Sequence, residues 1–142
     1  MLTDWLIRNQ KEEIAKAKLS TVRSELFFPQ DVMVLQEREG FLPPDYFGGF
    51  QCFEGRIRII YGTDRPTDEI REEYARGLTE SNWALDPGYK PDENYIVYKK
   101  GSEYHLTIDL LEDLAEPIRQ KFKLIYSIFL TYVSPPYNVC TG

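Results

Sequence analysis

Residues 56–61 read Arg-Ile-Arg-Ile-Ile-Tyr, and this run opens the stretch of sequence that decides the fold. Polar and apolar side chains alternate along most of it, as in a β-strand with one face in the core. Residues 67–82 then place apolar side chains at helical spacing, and residues 95–98 and 104–110 alternate again around a Lys-Lys-Gly-Ser turn. The order predicts a strand, a helix and a β-hairpin.

Alternation also predicts which side chains face the core. In the hairpin, Tyr104, Leu106, Ile108 and Leu110 form the inward row of the second strand. On the first strand, Ile96 and Tyr98 are the expected inward pair, with Tyr95 and Val97 as the alternative if the register slips. In the strand expected over residues 50–61, Ile57, Ile59 and Tyr61 should face inward and Arg56, Arg58 and Ile60 outward.

The helix after residue 66 is expected to begin with Thr67 as its cap, followed by two acidic residues that suit the positive end of the helix dipole. Its apolar side chains recur every four residues, so one side of the helix can lie on a sheet. Trp83 and Leu85 are expected to pack against the core after the helix ends. The recurring apolar residues are Ile70, Tyr74 and Leu78.

The remaining segments are expected to complete or cover this unit. Residues 1–24 contain good helix formers with a thin apolar stripe, which predicts a helix covering the sheet, or alternatively an amphipathic helix that binds a membrane or a partner. A short strand is expected at residues 32–35, closed by a solvated turn at Glu37, Arg38 and Glu39. Residues 122–133 are apolar on both alternating faces, which indicates a central strand, or a strand whose second face is covered by the N-terminal helix or the aromatic loop.

These patterns predict a single α+β domain over residues 1–142. We expect a mainly antiparallel sheet of four to five strands, with one helix packed on a face and the N-terminal helix as a cover. The predicted divisions are residues 1–24 for that helix, 25–54 for a short strand and an aromatic loop, 55–133 for the core and 134–142 for a tail.

Charge and composition argue against several classes of partner. The chain has a formal charge of −6 and no block of five basic residues, so neither nucleic acid nor an anionic membrane surface is expected as a partner. No apolar run reaches about 18 residues, so no membrane span is expected. Cys52 and Cys140 are expected as two buried thiols, or alternatively as one disulfide. The compartment stays open, with the cytoplasm favoured.

Residues 41–50 read Phe-Leu-Pro-Pro-Asp-Tyr-Phe-Gly-Gly-Phe, a loop sequence rich in aromatic residues. Exposed, such a cluster would be a contact surface. Its Pro-Pro-Asp-Tyr run resembles the Pro-Pro-x-Tyr ligands of WW domains, which would imply a WW-domain partner. The alternative is a structural loop folded onto the core. The predicted interaction residues are Phe41, Pro43, Pro44, Tyr46, Phe47 and Phe50.

Chemistry-bearing side chains are few. His105 is the sole histidine, and it could act as a general base beside Asp109 on the same strand face, or be an ordinary strand histidine exposed to solvent. No cofactor or metal site is expected, because one histidine and two distant cysteines do not make the usual zinc set. A tyrosine-lined pocket between sheet and helix would hold a small ligand, although the same rings can simply fill a core. The candidate pocket residues are Tyr61, Tyr74, Tyr98, Tyr104, Tyr126 and His105.

Together these observations favour a non-enzymatic protein-interaction or adaptor module that uses the aromatic loop or an exposed strand edge. The alternative is a small-ligand-binding protein, or an enzyme, that uses the tyrosine-lined pocket. Self-association through an edge strand is a third hypothesis.

Overall fold

The computed structural model describes residues 2–41, 55–90, 92, 94–110 and 121–133. These residues form two helices and six strands, which confirms the α+β class and adds a strand to the four or five predicted. In chain order they are α1 (Leu2–Ser24), β1 (Met33–Phe41), β2 (Gly55–Thr63), α2 (Thr67–Glu80), β3 (Ala84–Leu85), β4 (Tyr95–Lys100), β5 (Tyr104–Asp109) and β6 (Leu124–Tyr132).

All six strands belong to one sheet with the order β1-β2-β6-β5-β4-β3. Every neighbouring pair is antiparallel. The last strand in the chain, β6, therefore lies between β2 and β5, in the central position that its two apolar faces predict. The helix α2 connects β2 to β3, and β3 lies at the end of the sheet opposite β1.

Both helices contribute to one core on the face of the sheet that carries Ile57, Ile59 and Tyr61, which we call the helix-covered face. Ala15 and Leu19 of α1 are fully buried in it, as is Tyr74 of α2. The predicted cover and the predicted helix on the sheet are both confirmed. The opposite face of the sheet is called the second face.

The second face is buried at its centre, contrary to the exposure expected for Ile60. Ile60 does point away from Ile57 and Ile59, but only 2% of it is exposed. Its partner in the register with β6 is Ser127, which is also fully buried. Alternation along β2 therefore identifies the face correctly, whereas exposure depends on what covers that face.

The hairpin of β4 and β5 confirms the predicted register. Ile96 lies opposite Ile108, and Tyr98 lies opposite Leu106. Gly101 in the connecting turn has φ +62, a conformation that glycine adopts without the steric cost of a side chain. Leu106 and Ile108 also pair with apolar residues of β6, so this row continues across the core.

The predicted turn at Glu37, Arg38 and Glu39 is wrong, because these residues continue β1. Glu37 pairs with Ile59 of β2, and Glu39 pairs with Ile57. The charged run is compatible with a strand because β1 is an edge strand of the described sheet, where charged side chains reach solvent.

Two expectations around α2 are also wrong. Thr67 is the first residue of the helix, not its cap: Pro66 occupies the N-cap position with extended backbone (φ −62, ψ 145) and no side-chain cap hydrogen bond. Trp83 is buried as predicted, but Leu85 is 54% exposed. Leu85 belongs to β3, a two-residue strand that pairs with the edge of β4 and is too short for periodicity to reveal.

Candidate functional site

Most of the predicted aromatic interaction loop lies outside the described residues. This is so for Pro43, Pro44, Tyr46, Phe47 and Phe50, and the loop stays a prediction. Phe41, the last residue of β1, is described and partly buried against the core. The ammonium group of Lys16 lies 5.4 Å from the centre of its ring. Cys52 and Cys140 lie outside the described residues as well.

Three of the candidate pocket tyrosines form one cluster in the core, which we call the tyrosine cluster: Tyr61, Tyr74 and Tyr126. Tyr61 and Tyr126 lie on adjacent strands in register, with their rings stacked at 5.2 Å. Tyr74 of α2 meets Tyr126 edge to face at 5.7 Å, and Phe27 meets Tyr74 in the same way at 5.9 Å. The rings thus pack against one another, in geometries that aromatic pairs prefer.

The hydroxyl groups of the cluster differ in their hydrogen bonding. The hydroxyls of Tyr74 and Tyr126 are 2.8 Å apart, and one donates to the other. The hydroxyl of Tyr61 is buried and has no hydrogen-bond partner among the described residues. Burial is the main cause that raises the pKa of all three phenols, because the charged phenolate is disfavoured away from water. The cluster therefore stays neutral at physiological pH.

Each side of the cluster is bordered by an ion pair. On the α2 side, Arg65 and Glu73 form two hydrogen bonds of 2.7 and 3.0 Å, and Arg65 also donates to the backbone oxygen of Gln30 at 2.8 Å. Hydrogen bonding to Arg65 lowers the pKa of Glu73. On the β1 side, Arg23 of α1 donates to one oxygen of Glu37 at 2.8 and 3.2 Å. This second pair ties α1 to β1.

The other candidate pocket residues lie elsewhere. Tyr104 packs against Tyr132 at 5.5 Å, at the other end of β6 from Tyr126. Tyr98 is buried on β4 opposite Leu106. His105 alternates with Tyr104 and Leu106 and lies on the second face, so the structure does not bring it together with the tyrosine cluster. The ligand-pocket alternative stays a prediction.

His105 has a different carboxylate partner from the one expected. Its Nε2 atom lies 3.1 Å from Oδ2 of Asp86, in the loop after β3. The other oxygen of Asp86 accepts a hydrogen bond of 2.8 Å from the backbone N–H of Gly88. No local pattern links Asp86 to His105 in the sequence, because a loop and a distant strand meet only through the pairing of β3, β4 and β5. The role of His105 as a general base stays a prediction.

The second face carries an aromatic and arginine group next to the centre of the sheet. The guanidinium carbons of Arg56 and Arg58 lie 5.3 and 5.4 Å from the centre of the Phe129 ring. Such contacts are favourable cation–π interactions. They explain why two arginines of β2 can share a face with a large apolar side chain of β6.

The outer edge of β1 is the longer of the two end-strand edges in the described part of the sheet. β1 is nine residues long and ends the sheet, and none of the described residues pairs with its outer edge. At the opposite end, β3 has only two residues. The register of β1 with β2 shifts between Val34 and Gln36, which marks a β-bulge. Sequence reasoning expected this strand to end at Leu35, since residues 36–39 are all polar.

Within the described ranges, no group of three or more histidine, cysteine, aspartate or glutamate side chains could hold a metal ion. None of the described helices is both long enough and apolar enough to span a membrane. Comparisons of the chain with protein-family models, with curated proteins and with solved structures found no match.

Proposed function

We propose that this chain is a protein-interaction module whose contact surface includes the outer edge of β1. The observation that carries the proposal is a nine-residue strand at the end of the sheet, with no described residue paired to its outer edge. A strand edge offers a row of backbone N–H and C=O groups, which an extended segment of a partner can bind as an added strand.

The two ends of the sheet support the choice of β1 over β3. A short edge strand is one of the ways in which proteins prevent edge-to-edge pairing, and β3 has only two residues. β1 spans nine residues, most of them exposed. The helix α1 also holds β1 in place, because the ion pair between Arg23 of α1 and Glu37 of β1 joins the two elements. A preformed edge of this kind loses little conformational entropy when a partner strand binds.

Site-specific photo-crosslinking in the cell that makes the protein tests the proposal. A photoreactive amino acid in place of Gly40 on β1, where an added Cβ atom would meet no atom within 4 Å, should form a covalent adduct with another protein. The same amino acid in place of Tyr89, an exposed residue in the loop after β3, is the matched control and should form none. Adducts from Tyr89 but not from Gly40 would contradict the proposal, and an adduct of two copies of this chain would show self-association instead.

A further inference from the structure

We infer that β1 accepts an antiparallel strand of another protein, with a basic residue opposite Glu39 and an acidic residue opposite Arg38. This inference rests on the proposed function and specifies the chemistry of the partner. Two observations support it: the charged side chains of β1 lie on two opposite faces, and one of these charges is already neutralised by an ion pair.

The register with β2 assigns each charged residue of β1 to a face. Glu37 and Glu39 lie opposite Ile59 and Ile57, so they share the helix-covered face. Arg38 lies between them in the chain and therefore on the second face. A strand added to β1 continues both faces, so its residues meet acidic side chains on one face and a basic side chain on the other.

The two acidic residues are not equivalent. Arg23 of α1 already binds Glu37 with a closest distance of 2.8 Å. Among the described residues, no ion pair joins Glu39 to a basic side chain, and Glu39 is exposed. On the second face, Arg38 is exposed as well. With the amide of Gln36 oriented to accept, Nε and Nη2 of Arg38 both lie 2.9 Å from its oxygen, which is a neutral partner. Within the described ranges, no ion pair joins Arg38 to an acidic side chain. Glu39 and Arg38 are thus the positions where a partner gains from opposite charge.

The same charges argue against a second copy of this chain as the partner. Residues directly opposite each other in a sheet share a face, which limits the registers in which β1 can pair with β1 of another copy. One antiparallel register places Glu37 of one copy opposite Glu37 of the other copy. The next allowed register places Glu37 opposite Glu39 and Arg38 opposite Arg38. Like charges directly opposite one another are destabilising, so the edge favours a different protein.

The beginning of β1 adds an apolar requirement. Met33 is 57% exposed and Val34 is 48% exposed, so this end of the strand presents apolar surface. An antiparallel partner passes Glu39 first and reaches Met33 last. Its basic residue therefore precedes its acidic residue, and its apolar side chains follow toward its C-terminal end.

Two synthetic peptides test this inference by fluorescence anisotropy. The matched peptide is Val-Thr-Lys-Glu-Val-Thr-Val-Ile, which aligns its lysine with Glu39 and its glutamate with Arg38. With Leu35 left unpaired at the bulge, as it is in the pairing with β2, the last two peptide residues align with Val34 and Met33. In the control peptide the lysine and the glutamate are exchanged, so that composition and net charge are equal. We expect the matched peptide to bind on the order of tenfold more tightly, because two cross-strand pairs change from opposite to like charge.

A charge exchange on the protein must reverse this preference. The double variant Glu39→Lys with Arg38→Glu should bind the control peptide more tightly than the matched one. The double variant Arg76→Glu with Glu80→Lys, at exposed positions on α2, should keep the preference of the unmodified protein. Circular dichroism confirms that each variant is folded.

The outcomes separate the inference from the proposed function. Equal binding of the two peptides, or no binding of either at the highest soluble concentration, overturns the inference. If the photoreactive amino acid at position 40 still forms an adduct with another protein in that case, the interaction module stands and only the predicted charge pattern of its partner is wrong. If neither experiment gives a signal at β1, both proposals fail.

Discussion

The two sides of the tyrosine cluster differ in how the buried tyrosine hydroxyls are hydrogen-bonded. On the α2 side, the hydroxyls of Tyr74 and Tyr126 satisfy each other at 2.8 Å. On the β1 side, the hydroxyl of Tyr61 is also buried, and no described residue forms a hydrogen bond with it. A buried polar group without a partner costs free energy, whereas a mutual hydrogen bond offsets that cost. Burial of the hydroxyls therefore costs less free energy on the side next to α2 than on the side next to the β1 edge.

High pH should produce the largest effect, since it acts on both sides of the cluster at once. Burial raises the pKa of Tyr61, Tyr74 and Tyr126 above the ordinary value of 10.0. Below that pH the folded and unfolded chains both keep these protons, and the stabilisation is fully present. Above it the unfolded chain releases protons that the folded chain retains, so stability falls as the pH rises.

One pH unit above 10, Tyr74 and Tyr126 should each lower the free energy of unfolding by about 1.4 kcal/mol, or about 3 kcal/mol for the two, and Tyr61 should add a further loss in the same direction. Urea unfolding followed by circular dichroism on both sides of pH 10 measures this loss. Tyr126→Phe should reduce the loss, whereas Tyr89→Phe, at an exposed position, serves as the control. An equal loss in the wild type and in Tyr126→Phe would contradict the expected buried titration.

The α2 side should be the more sensitive to a steric change. A Cβ atom on Gly77 would overlap the ring of Phe27, which itself packs against Tyr74. Gly77→Leu should lower the free energy of unfolding by about 3 kcal/mol or more, because the ring has the tyrosine cluster behind it and cannot move away freely.

Urea unfolding compares this variant with Gly40→Leu as its control. A Cβ atom on Gly40, in β1, would meet no atom within 4 Å. The control should change the free energy of unfolding by no more than about 0.5 kcal/mol. Equal stability of the two variants would mean that Phe27 is not held between α2 and Tyr74.

Removing one hydroxyl of the bonded pair should have an intermediate effect. Tyr126→Phe leaves the buried hydroxyl of Tyr74 without its partner and should lower the free energy of unfolding by about 1–3 kcal/mol. The double variant Tyr74→Phe with Tyr126→Phe removes both polar groups and should cost less than the sum of the two single changes. Chemical denaturation of all four proteins gives the coupling energy, and additive changes would exclude the mutual hydrogen bond.

Tyr61→Phe should have the smallest effect, and one of opposite sign. Its hydroxyl has no partner to lose, so we expect the free energy of unfolding to stay the same or to rise by about 1 kcal/mol. Tyr89→Phe is again the control for the loss of a phenolic hydroxyl. A clear destabilisation by Tyr61→Phe would show that this hydroxyl does form a stabilising hydrogen bond.

The periodicity of the sequence could predict the face of each tyrosine but not its partner. Alternation places Tyr61 on the inner row of its strand, and helical spacing places Tyr74 on the apolar side of α2. The contact of Tyr74 with Tyr126 joins a helix to the last strand of the chain, and nothing local in either segment encodes it. The orphan hydroxyl of Tyr61 and the contact of His105 with Asp86 likewise depend on the order of the strands.

The extent of β1 was missed for a related reason. Residues 36–39 are all polar, so no alternation of apolar residues could reveal a strand there. Pairing with β2 supplies the hydrogen bonds and converts the expected turn into the end of a nine-residue strand. The candidate interaction edge therefore exists only in the assembled sheet.

The sequence by itself determined the α+β class and the face on which most core residues lie, and it favoured the central position of β6 and the observed register of the β4–β5 hairpin. These properties follow from periodicity within one element or from a short turn, and so they can be read locally. Only the tertiary structure decided which strands end the sheet, which tyrosine hydroxyls meet and which charges on β1 are neutralised. Those properties depend on the packing of segments that are far apart in the chain, where no local pattern specifies which neighbour each side chain will meet.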